Sequence, residues 1–321
     1  MPDTKIDVSI IIVSYNTDLL TRNCLESVYK YVRCSYEIIV VDNASTDASL
    51  PFLRDLNDQK KLRLIELEKN HGFGPANNRG AAVAKGRYLL FLNSDTLLTH
   101  DAVTPALKFA LSHSRLGGYS CGLKYEDGSL QATGGSFPTL FSLITWQLFL
   151  DDLPFIGKYF KSIHPHEPGF LFLHRFFPRL PKTGSRSIYN KSGRPDWITG
   201  AFMFIPKAVF EKVGGFDEKI FLYTEELELC YRIKKLGYVF AYEPDNSIIH
   251  LIGRSGGSKL STYLEIKYMQ YFFEKHHSRL ESTLSKHILR VGCLLRLLIF
   301  GIIKGNDVAK EAYIKAFRSL T

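Results

Sequence analysis

The 321-residue sequence predicts an α/β protein. Its core is a mostly parallel, Rossmann-like central sheet flanked by helices, and a helical tail follows. Three observations predict this. Short apolar, β-branched runs alternate with amphipathic segments through the first hundred residues. The runs are continuous instead of alternating with polar residues, as strands buried on both faces are. Three of the four end on Asn, Ser or Asp, where a sheet edge meets a crevice.

The elements follow in order. "VSIIIV" (8–13) is the first strand, and "DLLTRNCLESVYKYV" (18–32) places apolar residues at 20, 24, 28 and 32 on one helix face. "EIIVV" (37–41) is the second strand. "STDASLPFLRDL" (45–56) reads as a short helix capped by Ser45 or Thr46. "LRLIEL" (62–67) is the third strand, and "PANNRGAAVAKG" (75–86) is a helix with Pro in its first turn and Gly at its end. "RYLLFL" (87–92) is the fourth. Strand–helix alternation implies parallel pairing with right-handed crossovers.

The second half is less periodic. Residues 137–195 form an insertion or lid, with aromatic, proline and histidine residues crowded between 137 and 181. Sheet-like text returns at "DWITGAFMFI" (196–205). "TEELELCYRIKKLGY" (224–238) is a helix with acids first and bases last, as the macrodipole favours. "VFAYEP" and "NSIIHL" read as two short strands. We place one domain over 1–260 and a helical C-terminal extension over 261–321.

Composition excludes several classes. Hydrophobic residues make up 45%, enough for a sizeable core, and charged residues 23%, so no segment has a disordered composition. The net charge of +9 suits an anionic substrate, an anionic membrane surface or nucleic acid. No concentrated basic run or nucleic-acid reader motif is present, so no nucleic-acid partner is expected. Five scattered cysteines without metal spacing predict a reduced, cytoplasmic setting. The start, "MPDTKIDVSI", lacks the features of a signal peptide. "ILRVGCLLRLLIFGIIK" (288–304) is short for a bilayer span and is interrupted by Arg290 and Arg296.

In an open parallel sheet the carboxyl ends of the strands share one edge, where ligands bind. Ser14-Tyr15-Asn16, Asp42-Asn43 and Asn93-Ser94-Asp95 should therefore converge. Asp95 suits a divalent cation, Mn²⁺ or Mg²⁺, completed by water and phosphate; the alternative is a plain βα turn. Asp42 either accepts a hydrogen bond from a nucleobase imide N–H or belongs to a loop capping the next helix. "NHGFGPANNRG" (70–80) follows the third strand and matches GxGxxG only in part, which argues against a Rossmann cofactor. Its helix N-terminus is suited to face a nucleotide, with Asn70, Gly72 and Asn78 as candidate donor-binding residues; close helix–sheet packing is the alternative. Glu225 and Glu226 are candidate general bases, against the bland reading of a solvated helix start. His250 is a core histidine, a metal ligand or a phosphate contact. Arg254, in "GRSGGS", is suited to close over a diphosphate.

The ordered series "VSIIIVSYN", "EIIVVDNASTD", "NHGFGPANNRG", "YLLFLNSD", "WITGAFMFI", "VGGFDEKIFLYTEELELCYRIKKLGY" and "HLIGRSGGS" resembles the family 2 glycosyltransferases over roughly residues 7–260. The rhamnosyltransferase-like branch is the most similar. The resemblance implies a GT-A fold, a nucleotide-sugar donor and an inverting hexosyltransferase. By position, Asp42 matches the base-binding aspartate, Ser14, Tyr15 and Asn16 the first nucleotide-contacting turn, and Asp95 the last acid of DxD. Asn93 stands where the first aspartate would be, which removes one charge. Glu225-Glu226 stand at the family's Glu-Asp, whose second acid is the base, so Glu226 is implied as base with an arm one methylene longer; Glu225 stays as the alternative.

The branch points to dTDP-rhamnose, and a UDP-sugar equally satisfies Asp42. The aromatic insertion and the tail fit a glycan or lipid-linked acceptor in bacterial-type surface polysaccharide synthesis. The tail either lies at the inner face of the plasma membrane or packs onto the domain or a second copy in a homo-oligomer. Two other classes compete. A sugar-nucleotide pyrophosphorylase would carry a glycine-rich loop where "SYNTDLL" stands. A non-catalytic nucleotide-sugar binder would keep the fold and lose turnover.

Overall fold

A computed structural model describes residues 6–151, 153, 162–163, 189–251 and 258–320, with side chains in the last stretch from 262. The chain divides into two compact units. The first comprises residues 1–133, 189–221 and 225–255; the second comprises 134–188, 222–224 and 256–321.

In the first unit, β1 (Val8–Ser14), α1 (Asp18–Tyr31), β2 (Tyr36–Asp42), α2 (Ser49–Asp58), β3 (Arg63–Glu66), α3 (Phe73–Val83) and β4 (Tyr88–Asn93) follow the expected alternation. They continue into β5 (Thr96–Leu97), α4 (Val103–Ser112) and β6 (Leu116–Lys124). The eight-stranded sheet has the order β3-β2-β1-β4-β7-β6-β8-β5, where β7 is Phe202–Pro206 and β8 is Val239–His250. β1 pairs in parallel with both β2 and β4. β7 is inserted antiparallel between β4 and β6, which confirms the mixed but mostly parallel sheet.

The central strands are continuous apolar runs because helices cover both faces. Ile10, Ile11 and Ile12 on β1 and Leu89, Leu90 and Phe91 on β4 are all buried. Each such side chain contributes about 1.5–3 kcal/mol when removed from water. Phe91 also packs against Phe210 of α6 (Lys207–Lys212) and against Phe216, with ring centroids 5.1 Å away in each case.

Two local expectations need correction. The second helix starts at Ser49 behind Ala48, an N-cap that makes no side-chain capping bond, and Asp47 Oδ1 accepts from the Ser49 N–H at 3.0 Å. Ser45 and Thr46 instead bond Asn16 and Asp42. The two short strands expected after residue 238 are one twelve-residue strand, β8, with an irregularity between Glu243 and Ser247 that absorbs Pro244.

In the second unit, α5 (Leu140–Gln147) opens with a capping box between Thr139 and Ser142, inside text that shows no clean period. Residues 152, 154–161 and 164–188 of the expected insertion lie outside the described residues. The C-terminus is helical, as expected. It consists of α8 (Ser258–His276), α9 (Arg279–Arg296), a π-helical turn (Leu297–Ile303) and α10 (Asp307–Ser319). The helix between units of sequence, α7 (Glu225–Lys235), belongs to the first unit. Among the described residues, no helix is long and apolar enough to cross a membrane.

Candidate active site

The carboxyl ends of β1, β2 and β4 lie side by side. Ser14 is in register with Asp42, and Val13 with Asn93. Asp42 and Asn93 are thus two strands apart, roughly 10 Å at the usual interstrand spacing.

Loop geometry holds this edge. Asn16 (φ 54°) and Ala44 (φ 67°) both take left-handed conformations that cost a non-glycine residue energy. They let the two loops clamp each other. Asn16 N–H donates to Ser45 Oγ (3.0 Å), and Asn16 Oδ1 accepts from Thr46 N–H (2.7 Å). Asp42 is buried, and its Oδ1 accepts from Ser45 N–H at 2.9 Å. Its Oδ2 is buried without a hydrogen-bond partner. One oxygen of Asp42 thus ties the turn, and the other makes no hydrogen bond within the folded chain.

Several expected donor-binding residues are braces. Ser14 is buried, and its hydroxyl lies 3.2 Å from that of Thr17 and 3.1 Å from that of Thr21. Ser94 is buried too and accepts from Thr17 Oγ1 at 3.3 Å. Asn43 Nδ2 donates to Asn70 Oδ1 (2.9 Å) and to the Gly72 carbonyl (3.1 Å), while its Oδ1 accepts from His71 N–H (2.9 Å). Gly72 has φ 89°, and a Cβ there would sit 1.9 Å from the Phe221 carbonyl oxygen. Asn78 brackets Phe216 at both backbone groups, each at 2.9 Å. Tyr15 is 42% exposed at the rim. Arg254 lies outside the described residues.

Asp95 is buried just past β4, and β8 returns antiparallel to β5 so that His250 pairs with Thr96. Leu251 N–H donates to the Asp95 carbonyl at 2.9 Å. His250 Nε2 then lies 3.3 Å from Asp95 Oδ1. The other face of the imidazole is held by Gln131, which is itself buried. Gln131 Nε2 donates to the His250 carbonyl (2.7 Å), and its Oε1 lies 2.9 Å from His250 Nδ1. The carbonyl can only accept, so the amide orientation is set and Nδ1 must carry the hydrogen. An imidazole nitrogen and a carboxylate oxygen thus face each other at the sheet edge, a donor pair suited to a divalent cation.

Asp95 and His250 fit a divalent cation on these grounds. Among the described residues no group of three or more His, Cys, Asp or Glu side chains is placed to hold a metal. Mn²⁺ and Mg²⁺ take few protein ligands and fill their remaining positions with water and phosphate oxygens. Asn93 Oδ1 is buried nearby in sequence without a hydrogen-bond partner.

The glutamates differ sharply. Tyr223 (φ 67°) and Thr224 (φ 75°) are consecutive left-handed residues just before α7, a conformation of about 1–3 kcal/mol cost each. Glu225 is buried, and its Oε2 has no hydrogen-bond partner. Burial, reinforced by the neighbouring Glu226 charge, pushes its carboxyl well above the usual range. Glu226 is partly exposed, and its Oε1 accepts from Gly200 N–H at 3.1 Å. Burial raises its carboxyl too, opposed by that hydrogen bond. Glu228 is taken up by Arg232, 2.7 Å away, which also donates to the Val213 and Gly215 carbonyls. Gly200 links the acid to the end of β4, since the adjacent Ala201 carbonyl accepts from Asn93 N–H at 3.3 Å.

Sequence reasoning missed Gln131 and Gly200. Gly200 carried a signal, because a glycine inside strand-like text marks a close backbone approach. Gln131, in "SLQATG", carried none.

The family model "Glycosyl transferase family 2" matches residues 9–177, just over half the chain. Rhamnosyltransferase WbbL of Escherichia coli (strain K12) is 27% identical over 250 residues, covering 76% of this chain and 83% of that protein. The N-acetylglucosaminyl-diphospho-decaprenol L-rhamnosyltransferase of Mycobacterium tuberculosis is 23% identical over 287 residues, covering 84% of each. Among solved structures, the mannosyltransferase PcManGT from Pyrobaculum calidifontis, in complex with GDP-Man and Mn²⁺, superposes with TM-score 0.55 at 15% identity. That match covers 99% of this chain and 85% of PcManGT. GalNAc-T7 with UDP, GalNAc and Mn²⁺ gives 0.61 at 17% identity, over 99% of this chain and 56% of that one. These likenesses establish the GT-A fold. The chain is a glycosyltransferase and belongs to glycosyl transferase family 2.

Proposed function

We propose that this glycosyltransferase moves a sugar, with inversion, from a thymidine- or uridine-diphosphate donor to a glycan or lipid-linked acceptor in surface polysaccharide synthesis. L-Rhamnose is the first candidate sugar. The names of the two rhamnosyltransferase relatives support it, and the mycobacterial name specifies a diphospho-decaprenol-linked acceptor. The observation that carries the reading is the Asp95–His250 pair at the sheet edge, with Nε2 3.3 Å from the carboxylate and Nδ1 held by Gln131.

Asp42 Oδ2 accepts the imide N–H of the base, while Oδ1 keeps its bond to Ser45. Asp95 and His250 are the residues that would hold a divalent cation, Mn²⁺ or Mg²⁺. Such a cation, when bound, neutralises charge on the leaving nucleoside diphosphate. Glu226 takes the proton from the acceptor hydroxyl as that oxygen attacks the anomeric carbon. Its partial exposure gives the acceptor access, and the Gly200 N–H orients it. Glu225 stays buried and shields that edge from water.

Binding and turnover across a panel of nucleotide sugars, with and without Mn²⁺, test this for the wild type, Asp95→Ala and Glu226→Gln. Expected are metal-aided binding of one dTDP- or UDP-sugar, its loss in Asp95→Ala, and bound but unreacted donor in Glu226→Gln. Absence of any nucleotide-sugar binding would sink the proposal. Binding without turnover in the wild type, across a panel of acceptors, would favour the non-catalytic binder.

A further inference from the structure

The first turn of α3 packs where α7 presents its two acids. A Cβ on Gly74 would lie 3.6 Å from Glu225 Cβ. One residue earlier, the Phe73 ring approaches Gly200, whose N–H donates to Glu226 Oε1 at 3.1 Å. A Cβ on Gly200 would meet Phe73 Cε1 at 2.7 Å, Phe73 Cζ at 2.9 Å and Glu226 Oε1 at 3.0 Å. The ring tip and the carboxylate oxygen therefore border the same small volume, which this glycine leaves open.

The ring is held from behind. Phe73 meets Phe216 edge-on, with centroids 6.2 Å apart and planes at 72°. Phe216 is buried and meets Phe91 at 5.1 Å and Phe210 at 5.6 Å, so the ring rests on an aromatic stack rooted in the core. The Phe73 backbone is fixed at both groups. Its N–H donates to the Phe221 carbonyl at 2.9 Å, and its carbonyl accepts from Asn77 Nδ2 at 3.0 Å. A helix start asks for hydrogen-bond acceptors, which a phenyl ring does not supply, so capping does not account for this side chain.

We propose that Phe73 is a positioning residue for Glu226: its ring shields one side of the carboxylate from water and packs on Gly200, keeping the Gly200 N–H aimed at Oε1. The inference rests on the reading of Glu226 as general base. A ring suits this task because it excludes water without donating a hydrogen bond, and a second donor would lower the basicity of the carboxylate. Burial raises the Glu226 carboxyl, as such shielding requires. On its own helix Glu226 faces Glu225 and Cys230, whose buried thiol is pushed up and stays neutral. From the segments packed against it, it meets Phe73 and Gly200, which do not titrate.

Carbon-13 NMR of the full chain, labelled at the glutamate carboxyls, reads the Glu226 titration, assigned by its loss in Glu226→Gln. In Phe73→Ala the midpoint should fall toward the ordinary glutamate value. Turnover of the donor found in the nucleotide-sugar panel should drop by about 10–100-fold in kcat. Calorimetric affinity for thymidine or uridine diphosphate should hold. Phe73→Leu keeps an apolar cover without the ring tip, folds with the smaller change, and should fall between. It also removes the atoms that a Cβ at 200 would strike, so Gly200→Ala should cost less kcat in Phe73→Leu than in the wild type.

A wild-type midpoint and kcat in both Phe73 variants, with Glu226→Gln inactive, would overturn this inference alone. Loss of nucleoside diphosphate binding in step with kcat would do the same, by making Phe73 a general structural residue. Wild-type turnover in Glu226→Gln would overturn the base assignment, and this inference with it.

Discussion

Gln131 grips His250 at two points 119 residues away in sequence, through its carbonyl at 2.7 Å and its Nδ1 at 2.9 Å. This fixes the imidazole plane and commits Nδ1 to hydrogen-bond donation, so that Nε2 meets Asp95. Partners that orient a ligating histidine are worth about 10–100-fold in metal affinity. Gln131→Leu is therefore expected to weaken Mn²⁺ binding by that factor in the presence of a nucleoside diphosphate. Titration followed by the electron paramagnetic resonance of free Mn²⁺ would read this directly. Unchanged affinity would remove Gln131 from the site.

The two adjacent glutamates should separate on substitution. Glu226→Gln keeps the Gly200 hydrogen bond through its Oε1 and loses basicity, so donor affinity should hold while kcat falls by about 10²–10⁴-fold. Glu225→Gln should leave far more activity, because the wild-type side chain is buried. The reverse order of effects would transfer the base role to Glu225. Because burial raises the Glu226 carboxyl, the acid limb of the kcat profile should lie above the ordinary glutamate range.

Glu225 also makes a stability prediction. Its folded pKa lies well above its unfolded value, since burial disfavours the charge. The folded state thus holds the proton more tightly, and the wild type loses stability as pH rises from the ordinary glutamate value through the folded one. Glu225→Gln removes this titration. Its Tm relative to wild type should climb over that window and be flat below it. A difference independent of pH would contradict the assignment.

Asp42→Asn is nearly isosteric. It preserves an acceptor for Ser45 N–H and replaces the unpartnered Oδ2 by an amide that cannot accept. Loss of a hydrogen bond to a charged group costs about 1.5–3 kcal/mol, so calorimetry should show uridine or thymidine diphosphate bound roughly 10–100-fold more weakly. An equal affinity would leave Asp42 as a turn residue only.

Gly72→Ala tests the architecture under the site. The substitution combines a left-handed backbone with a Cβ 1.9 Å from the Phe221 oxygen. A loss of about 2 kcal/mol or more is expected in chemical denaturation. Tolerance of alanine would show that the 70–73 loop does not pack as described.

The sequence by itself determined the alternating architecture and which strand ends face the crevice. Continuous runs such as Ile10–Ile12 and Leu89–Leu92 are legible because burial on both faces demands apolar residues at every position, a local signal. The motif order likewise disclosed the family. The boundaries that failed were those set by contacts at a distance: Ser45 and Thr46 serve Asn16 and Asp42 instead of capping α2, and β8 runs through Pro244 because β6 supplies a partner on both sides of the irregularity.

Roles within the site were decided only by tertiary structure. Asn43 and Asn78, polar residues in motif loops, became braces once folding placed Asn70 and Phe216 within reach. Neighbouring Glu225 and Glu226 share a helix turn in sequence, and packing alone buries one and leaves the other accessible. Hydrophobic periodicity is encoded within a few residues, whereas hydrogen-bond partners more than a hundred residues apart exist only after the chain has closed.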